Sequence, residues 1–422
     1  MTSRDASAPL SHRPDVRAII LDGNENQAVA ATRSLARAGY RVAVGAAEAW
    51  SKAGWSRHAT STFSYPSPAS DPDGFVRRLC LELEQGGPAV VMPMTEASTI
   101  PVSLHRAEIG AAGGTMLLPP HDVLLRVFDK RAMTALAQSL GIAVPRTWVA
   151  AMDTDVVRLA RELPYPVVLK PNVSQRRTAS GGSAPTGAPS YAINPEQFAH
   201  ALAELQQRCD SVLVQEFIDG TGAGYFALMR AGELRGEFAH RRIRDVRPTG
   251  SGSALRESVV PTPALRDASL ALLRAIGWHG VAMVEFRLRP DGTPVFLEVN
   301  GRFWNSLALA VHAGVDFPLG VASLAAHGDV EPLATGRAGV RCRWWLGDAR
   351  HLVAVWRGAP AGYPGAFPSR VRTTLAVLCP SMGTRHDNFS LSDPMPELGD
   401  WLHFFGRKVP RALGALRDGG AQ

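Results

Sequence analysis

The sequence predicts an α/β fold whose N-terminal part is built on a parallel sheet, and three observations carry that prediction. An apolar stretch at Val16–Leu21, a helical pattern from Gln27 to Ala38 stopped by Gly39, and a second apolar stretch at Arg41–Val44 form a βαβ opening. The same alternation then continues to about residue 120. Further on, apolar strands paired through the turn Pro290-Asp291-Gly292 add an antiparallel hairpin, so both sheet types are expected. A chain of 422 residues also exceeds one compact core and is expected to divide into two or three domains sharing a cleft.

The first domain is predicted to continue with a helix near Asp73–Glu84, a strand at Ala89–Met92, a helix after Glu96 and a short strand at Met116–Leu118. The loop after the first strand, Asp22-Gly23-Asn24-Glu25-Asn26, lies where a dinucleotide fingerprint would fall. It has a single glycine and lacks the GxGxxG spacing, which argues against a nicotinamide cofactor. A helix is expected from Asp129 to Leu140, ended by Gly141 and Pro145, followed by a strand at Val167–Lys170. The polar segment Pro171–Ser190 is longer than an ordinary connection and mixes hydroxyls, arginines and glycines, a composition suited to a lid over phosphates.

Composition narrows the function. Net charge is 45 − 38 = +7, but the arginines are dispersed and no basic run is interleaved with aromatics, so an anionic small substrate is expected rather than nucleic acid. No apolar run is long enough to cross a bilayer and the first residues have no signal-peptide core; a soluble, cytoplasmic protein is expected. Cys80, Cys209, Cys342 and Cys379 show no metal-ligand spacing and are expected to be buried free thiols. Lysine is used at only four positions, Lys52, Lys130, Lys170 and Lys408, in a chain rich in arginine. A lysine kept in such a chain suggests a need for a compact ammonium, which makes Lys130 and Lys170 candidates.

The chemistry concentrates near residue 300. Glu285 lies inside the apolar strand Ala282-Met283-Val284-Glu285-Phe286, an expensive place for a carboxylate unless it is paired or holds a cation. Across the hairpin Glu298 and Asn300 share one strand face, so two carboxylates and an amide oxygen can converge as an all-oxygen site suited to Mg²⁺. Arg302 follows, placed to meet charge on a phosphoryl group or an acyl phosphate. The structural alternative is a buried Glu298–Arg302 ion pair, which would leave Glu285 unexplained.

Four segments, VVLKP at 167–171, VQEFIDG at 214–220, VAMVEF at 281–286 and FLEVNGRFW at 296–304, resemble in order and spacing the motifs of the ATP-grasp superfamily. The resemblance implies a pre-ATP-grasp domain over residues 15–120, a two-lobed α+β ATP-grasp domain over 121–330, and a C-terminal extension over 331–422 packing on the grasp. It implies ATP and Mg²⁺ as cofactors. Lys130 and Lys170 would hold the nucleotide phosphates. Glu216, Phe217 and Ile218 would form the adenine-reading hinge, Glu285, Glu298 and Asn300 the metal ligands, and Arg302 the catalytic arginine. Where many members carry an acidic ribose ligand this chain has Gly222-Ala223-Gly224, so no ribose residue is assigned. Arg241 or Arg242 is a candidate for a substrate carboxylate, with a solvated strand face as the alternative.

The activity implied is that of a stand-alone carboxylate-amine ligase related to the large subunit of carbamoyl-phosphate synthase. It would be ADP-forming and work through an acyl phosphate, with small carboxylate and amine substrates, amino acids first among them. A kinase or carboxylase using the same grasp, and a non-catalytic nucleotide-binding module, are the alternatives. Beyond residue 330, Trp344, Trp345, Trp356, Trp401, Phe404 and Phe405 are expected to pack on the grasp. The last helix, about Leu398–Leu416, is basic and amphipathic and is expected to pack on the body of the protein or on another subunit of a homo-oligomer.

Overall fold

A computed structural model describes residues 17–172, 175–177, 183–185, 189–379 and 382–418, with backbone only for 175–177, 183–185, 251 and 407–418. The N-terminal sheet has five strands in the order Ser61–Ser64, Arg41–Ala46, Arg17–Ile20, Ala89–Met92, Gly114–Thr115, every neighbouring pair parallel. The parallel sheet is thus as expected, although its last strand falls at Gly114–Thr115 and not at Met116–Leu118. The helix Asn26–Arg37 is buried over its first ten residues. Its alanines let it pack on the sheet with one side and on the helices Leu307–Ala313 and Phe317–His327 with the other, so one apolar core joins residues as distant as Ile20 and Trp304.

Two further sheets follow, antiparallel except for the last pair of the larger, Arg341–Arg343 with Arg385–His386, which is parallel. The smaller has the order Ser190–Ala192, Val167–Pro171, Ser211–Glu216, Thr147–Ala151, covered by helix Pro195–Gln206. Asn194 caps that helix by accepting from Gln197 N. The larger runs Pro294–Asn300, Gly280–Leu288, Thr221–Arg230, Glu233–Arg247, Ser251–Val259, Arg341–Arg343, Arg385–His386. The segment after residue 330 therefore does more than pack on this sheet, because it supplies the last two strands. Within the proposed phosphate lid, Gln175–Arg177 and Ser183–Pro185 pair as a hairpin; the rest of that expectation lies largely outside the described residues.

The C-terminal part is also fixed to the N-terminal domain by buried polar groups. Lys52 Nζ lies 2.8 Å from Asp400 Oδ1, Arg33 Nε 2.8 Å from Asp393 Oδ2, and Asn388 Nδ2 donates to Asn26 Oδ1 at 3.0 Å. Arg256 and Asp387 form an ion pair with no solvent exposure. Trp344 is buried and Trp345 stacks on Phe389 at 4.8 Å, whereas Trp356 and Phe405 remain about half exposed. Three of the cysteines are buried free thiols as expected, but Cys379 is exposed. Among the described residues no single helix is long and apolar enough to cross a membrane; the bent pair Leu307–Ala313 and Phe317–His327 passes such a test only jointly, and it lies in the core.

Candidate active site

The hairpin Gly280–Leu288/Pro294–Asn300 places Glu285 directly opposite Glu298 and Met283 opposite Asn300. A register shift between Glu285 and Phe286 bends the pair just past the carboxylates. Lys170 approaches from the smaller sheet, and Lys130 from a helix packed on the Pro294–Asn300 strand. Lys130 opens the helix Lys130–Ser139, whose N-cap Asp129 accepts from Ala132 N, while Lys170 stands on the Val167–Pro171 strand. Lys130, Lys170, Glu285, Glu298, Asn300 and Arg302 all line one cavity of about 330 Å³.

Within it Glu285, Glu298 and Asn300 each already face a cation. Lys130 Nζ is 3.1 Å from Glu298 Oε2, and Arg242 Nη2 is 2.8 Å from Glu285 Oε1. Arg302 Nη2 donates to Asn300 Oδ1 at 3.0 Å and Nη1 to the Phe303 carbonyl at 2.8 Å, so the alternative Glu298–Arg302 pair does not form. Burial pushes the Glu298 carboxyl up, but Lys130, then Lys170 and Arg302, outweigh it and leave the group at about 2. Burial, with Lys130 alongside, lowers Lys170 to about 8. Glu298 raises Lys130 in return.

Among the described residues no three His, Cys, Asp or Glu side chains are grouped to hold a metal. Two opposed carboxylates and an amide are nonetheless a fitting donor set for Mg²⁺, which keeps several waters and takes its other oxygens from substrate phosphates. The oxygens of Glu285, Glu298 and Asn300 fit that hard ion better than a soft metal.

The expected hinge lies outside this cavity. The Glu216 side chain is committed to Arg146 at 2.7 Å, and Phe217 packs edge-on to Tyr191 and Tyr363 at centroid distances of 6.3 and 6.0 Å. Backbone bonds run from Glu216 N to Arg146 O and from Phe217 N to Pro166 O, leaving Ile218 as the buried residue that follows. Strand alternation separates the two candidate arginines. Arg241 turns to Glu257, with Nε 2.8 Å from Oε2, while Arg242 enters the site.

Sequence reasoning assigned no individual role to several groups, although His240 opens the basic segment His240–Arg244 expected over the acceptor pocket. His240 is buried in the cavity wall with Nδ1 3.3 Å from Ser306 Oγ, and burial holds its pKa well below the ordinary range. Glu25 is the N-cap of the helix Asn26–Arg37 and Glu96 opens the helix Glu96–Leu104; burial raises both, opposed by Lys52 and Arg302 at Glu25 and by Arg302 at Glu96. A second sequence signal for His240 was its position two residues before Arg242, on the same strand face.

With its parallel N-terminal sheet, two further mainly antiparallel sheets, and paired glutamates and two lysines about one cavity, the chain has an ATP-grasp fold, as its likeness to solved structures shows. No family model matches the chain. By sequence it is similar to the carbamoyl phosphate synthase large chain of Methanoculleus marisnigri, 28% identical over 225 residues, covering 49% of this chain. The chain spans 20% of the length of that relative. By structure it resembles an L-amino acid ligase from Bacillus licheniformis, at TM-score 0.58 and 15% identity over 76% of each chain. It also resembles the biotin carboxylase–ATP-analogue complex from Campylobacter jejuni, at TM-score 0.62 and 15% identity over 78% of this chain and 74% of that one.

Proposed function

We propose that this chain is an ATP-dependent, ADP-forming carboxylate-amine ligase that makes an amide bond through an acyl phosphate, with an amino acid as a substrate. The observation that carries it is the direct opposition of Glu285 and Glu298 on paired strands, with Lys130, Lys170 and Arg302 around the same cavity. An array of this kind surrounds the terminal phosphates of a nucleotide with positive charge and favours attack at the γ-phosphorus. The similarity to carbamoyl phosphate synthase large chain and to an L-amino acid ligase supports the same class. As a working division, residues 15–120 form the pre-ATP-grasp domain, 121–330 the ATP-grasp domain and 331–422 its extension, in a cytoplasmic protein acting on small molecules.

In this scheme Lys130 and Lys170 bind the phosphates, and Ile218, with the neighbouring hinge backbone, meets the adenine. Bound Mg²⁺ at Glu285, Glu298 and Asn300 would neutralise phosphate charge and polarise the phosphoryl group. Arg302 stands beside Asn300 to stabilise charge on the acyl phosphate. The N-terminal domain brings Glu25 and Glu96 near Arg302, and exclusion of water on that side would protect such an intermediate.

The test is ADP release from ATP across amino acids and small acids, singly and in pairs. The proposal expects release that depends on an acid and an amine together. Release with bicarbonate alone would make the chain a carboxylase, and release with a single hydroxyl substrate a kinase.

A further inference from the structure

We infer that Arg242 is the resident counter-ion of Glu285, and that it moves to Asp245 when a divalent cation takes Glu285. The inference rests on the assignment of Glu285 as a metal ligand in the proposed function, and it adds a gate to that site.

The geometry is unusual. Arg242 stands on Glu233–Arg247 and Glu285 on Gly280–Leu288, and the strand Thr221–Arg230 lies between them. The guanidinium reaches across over Gly222 of the intervening strand, and Gly224 leaves room for the neighbouring His240 and Met283 side chains. A Cβ on Gly222 would sit 2.8 Å from Arg242 Cδ, and one on Gly224 would sit 3.1 Å from His240 Nε2 and from Met283 Cε. The departure at Gly222-Ala223-Gly224 thus has a physical use, which is to leave room for one arginine side chain and its neighbours.

The arginine is incompletely satisfied there. Its Nη2 pairs with Glu285 at 2.8 Å, but Nε is buried without a hydrogen-bond partner. Asp245, on the same strand, has Oδ1 3.6 Å from Arg242 Nη1, beyond hydrogen-bond distance, and that oxygen is itself buried and unpartnered. Two buried groups of opposite charge are therefore one short movement from a direct bond. A divalent cation on Glu285 repels the guanidinium and removes its acceptor at once, so both terms drive it toward Asp245. The cost of leaving Glu285 is offset by completing the Asp245 pair. Arg242 lines the same cavity as Glu285, so metal occupancy would exchange its partner within the site and would not expel the side chain from it.

The test is titration of the full chain with Mn²⁺ at saturating ADP, free Mn²⁺ being read by electron paramagnetic resonance. Arg242→Gln removes the competitor and is expected to tighten Mn²⁺ by about tenfold, or about 1.4 kcal/mol. Arg242→Lys keeps the charge but is too short to cross to Glu285, and it should tighten Mn²⁺ similarly. It also keeps the experiment decisive if the glutamine variant does not fold. Asp245→Asn should weaken Mn²⁺ binding by removing the receiving carboxylate. Lysine behaving as wild type, glutamine binding no tighter, or asparagine unchanged would each overturn the exchange. Failure of the wild-type chain to bind Mn²⁺ with ADP would instead remove the metal assignment on which it rests.

Discussion

Lys130 Nζ lies 3.1 Å from Glu298 Oε2, joining the first turn of a helix to the edge strand Pro294–Asn300 of the large sheet. The lysine holds the carboxylate ionised, so the site is charged and ready for a cation before any ligand arrives. A glutamine at 298 would keep the shape and lose the charge. Glu298→Gln should fold normally but lose magnesium-dependent turnover by more than the roughly 10–100-fold that follows loss of an outer-shell partner of a metal. Steady-state ADP release against magnesium concentration measures this, and near-normal turnover at low magnesium would refute the metal assignment.

Lys170 should impose a pH dependence on nucleotide binding. In the ligand-free site its ammonium is lowered to about 8 by burial and by Lys130. Bound phosphate favours the charged form, so protonation and nucleotide binding are linked. Affinity for ADP should be level below pH 7 and fall above pH 8, by up to about tenfold per unit. Lys170→Arg stays charged throughout, so its affinity should be weaker but flat over this window. Calorimetry across pH 6.5–9.5, an interval of roughly three units around that value, distinguishes the two.

The Lys52–Asp400 pair should be structural. Both groups are buried, and Asn26 and Asn388 complete their hydrogen bonds. Removing one partner strands the other charge, so Asp400→Ala should cost about 3–5 kcal/mol in urea unfolding. The variant should release the C-terminal part from the N-terminal domain, an effect limited proteolysis would detect. A loss below about 1 kcal/mol would mean that water already satisfies Lys52.

Glu397 provides a stability switch. It accepts from Trp401 Nε1 at 2.8 Å, and burial raises its pKa from the ordinary 4.5 to about 7. The folded form then holds a proton that the unfolded form releases between pH 4.5 and 7. Its contribution is therefore full below pH 4.5 and is lost as pH rises through 7, by at most about 3 kcal/mol. Glu397→Gln should flatten that part of the stability–pH curve, and an unchanged slope would assign it to another group.

Much of this was legible in the sequence, for physical reasons. A carboxylate in an apolar strand is costly wherever it occurs, so Glu285 announced a cation. Alternation along one strand fixed the shared face of Glu298 and Asn300. What could not be read were contacts made across distant segments. Arg242 meets Glu285 across a third strand, where a Cβ on Gly222 would crowd the arginine side chain, a fact that no spacing rule contains. Lys52 shares the scarcity that marked Lys130 and Lys170, but its partner Asp400 lies in the C-terminal helix, so its structural role was hidden. The strands Arg341–Arg343 and Arg385–His386 were missed because pieces of three and two residues carry no periodicity.

The central claim is that a carboxylate is activated at the γ-phosphorus and then captured by an amine. Once an active pair is known, the substrate carboxylate can be labelled with heavy oxygen and the released phosphate examined by mass spectrometry. A carboxylate oxygen that attacks phosphorus becomes the bridge of the acyl phosphate and leaves with phosphate when the amine displaces it. The account predicts ADP as the nucleotide product and one labelled oxygen in the phosphate. ADP with unlabelled phosphate would contradict carboxylate activation, and AMP with pyrophosphate would contradict attack at the γ-phosphorus itself.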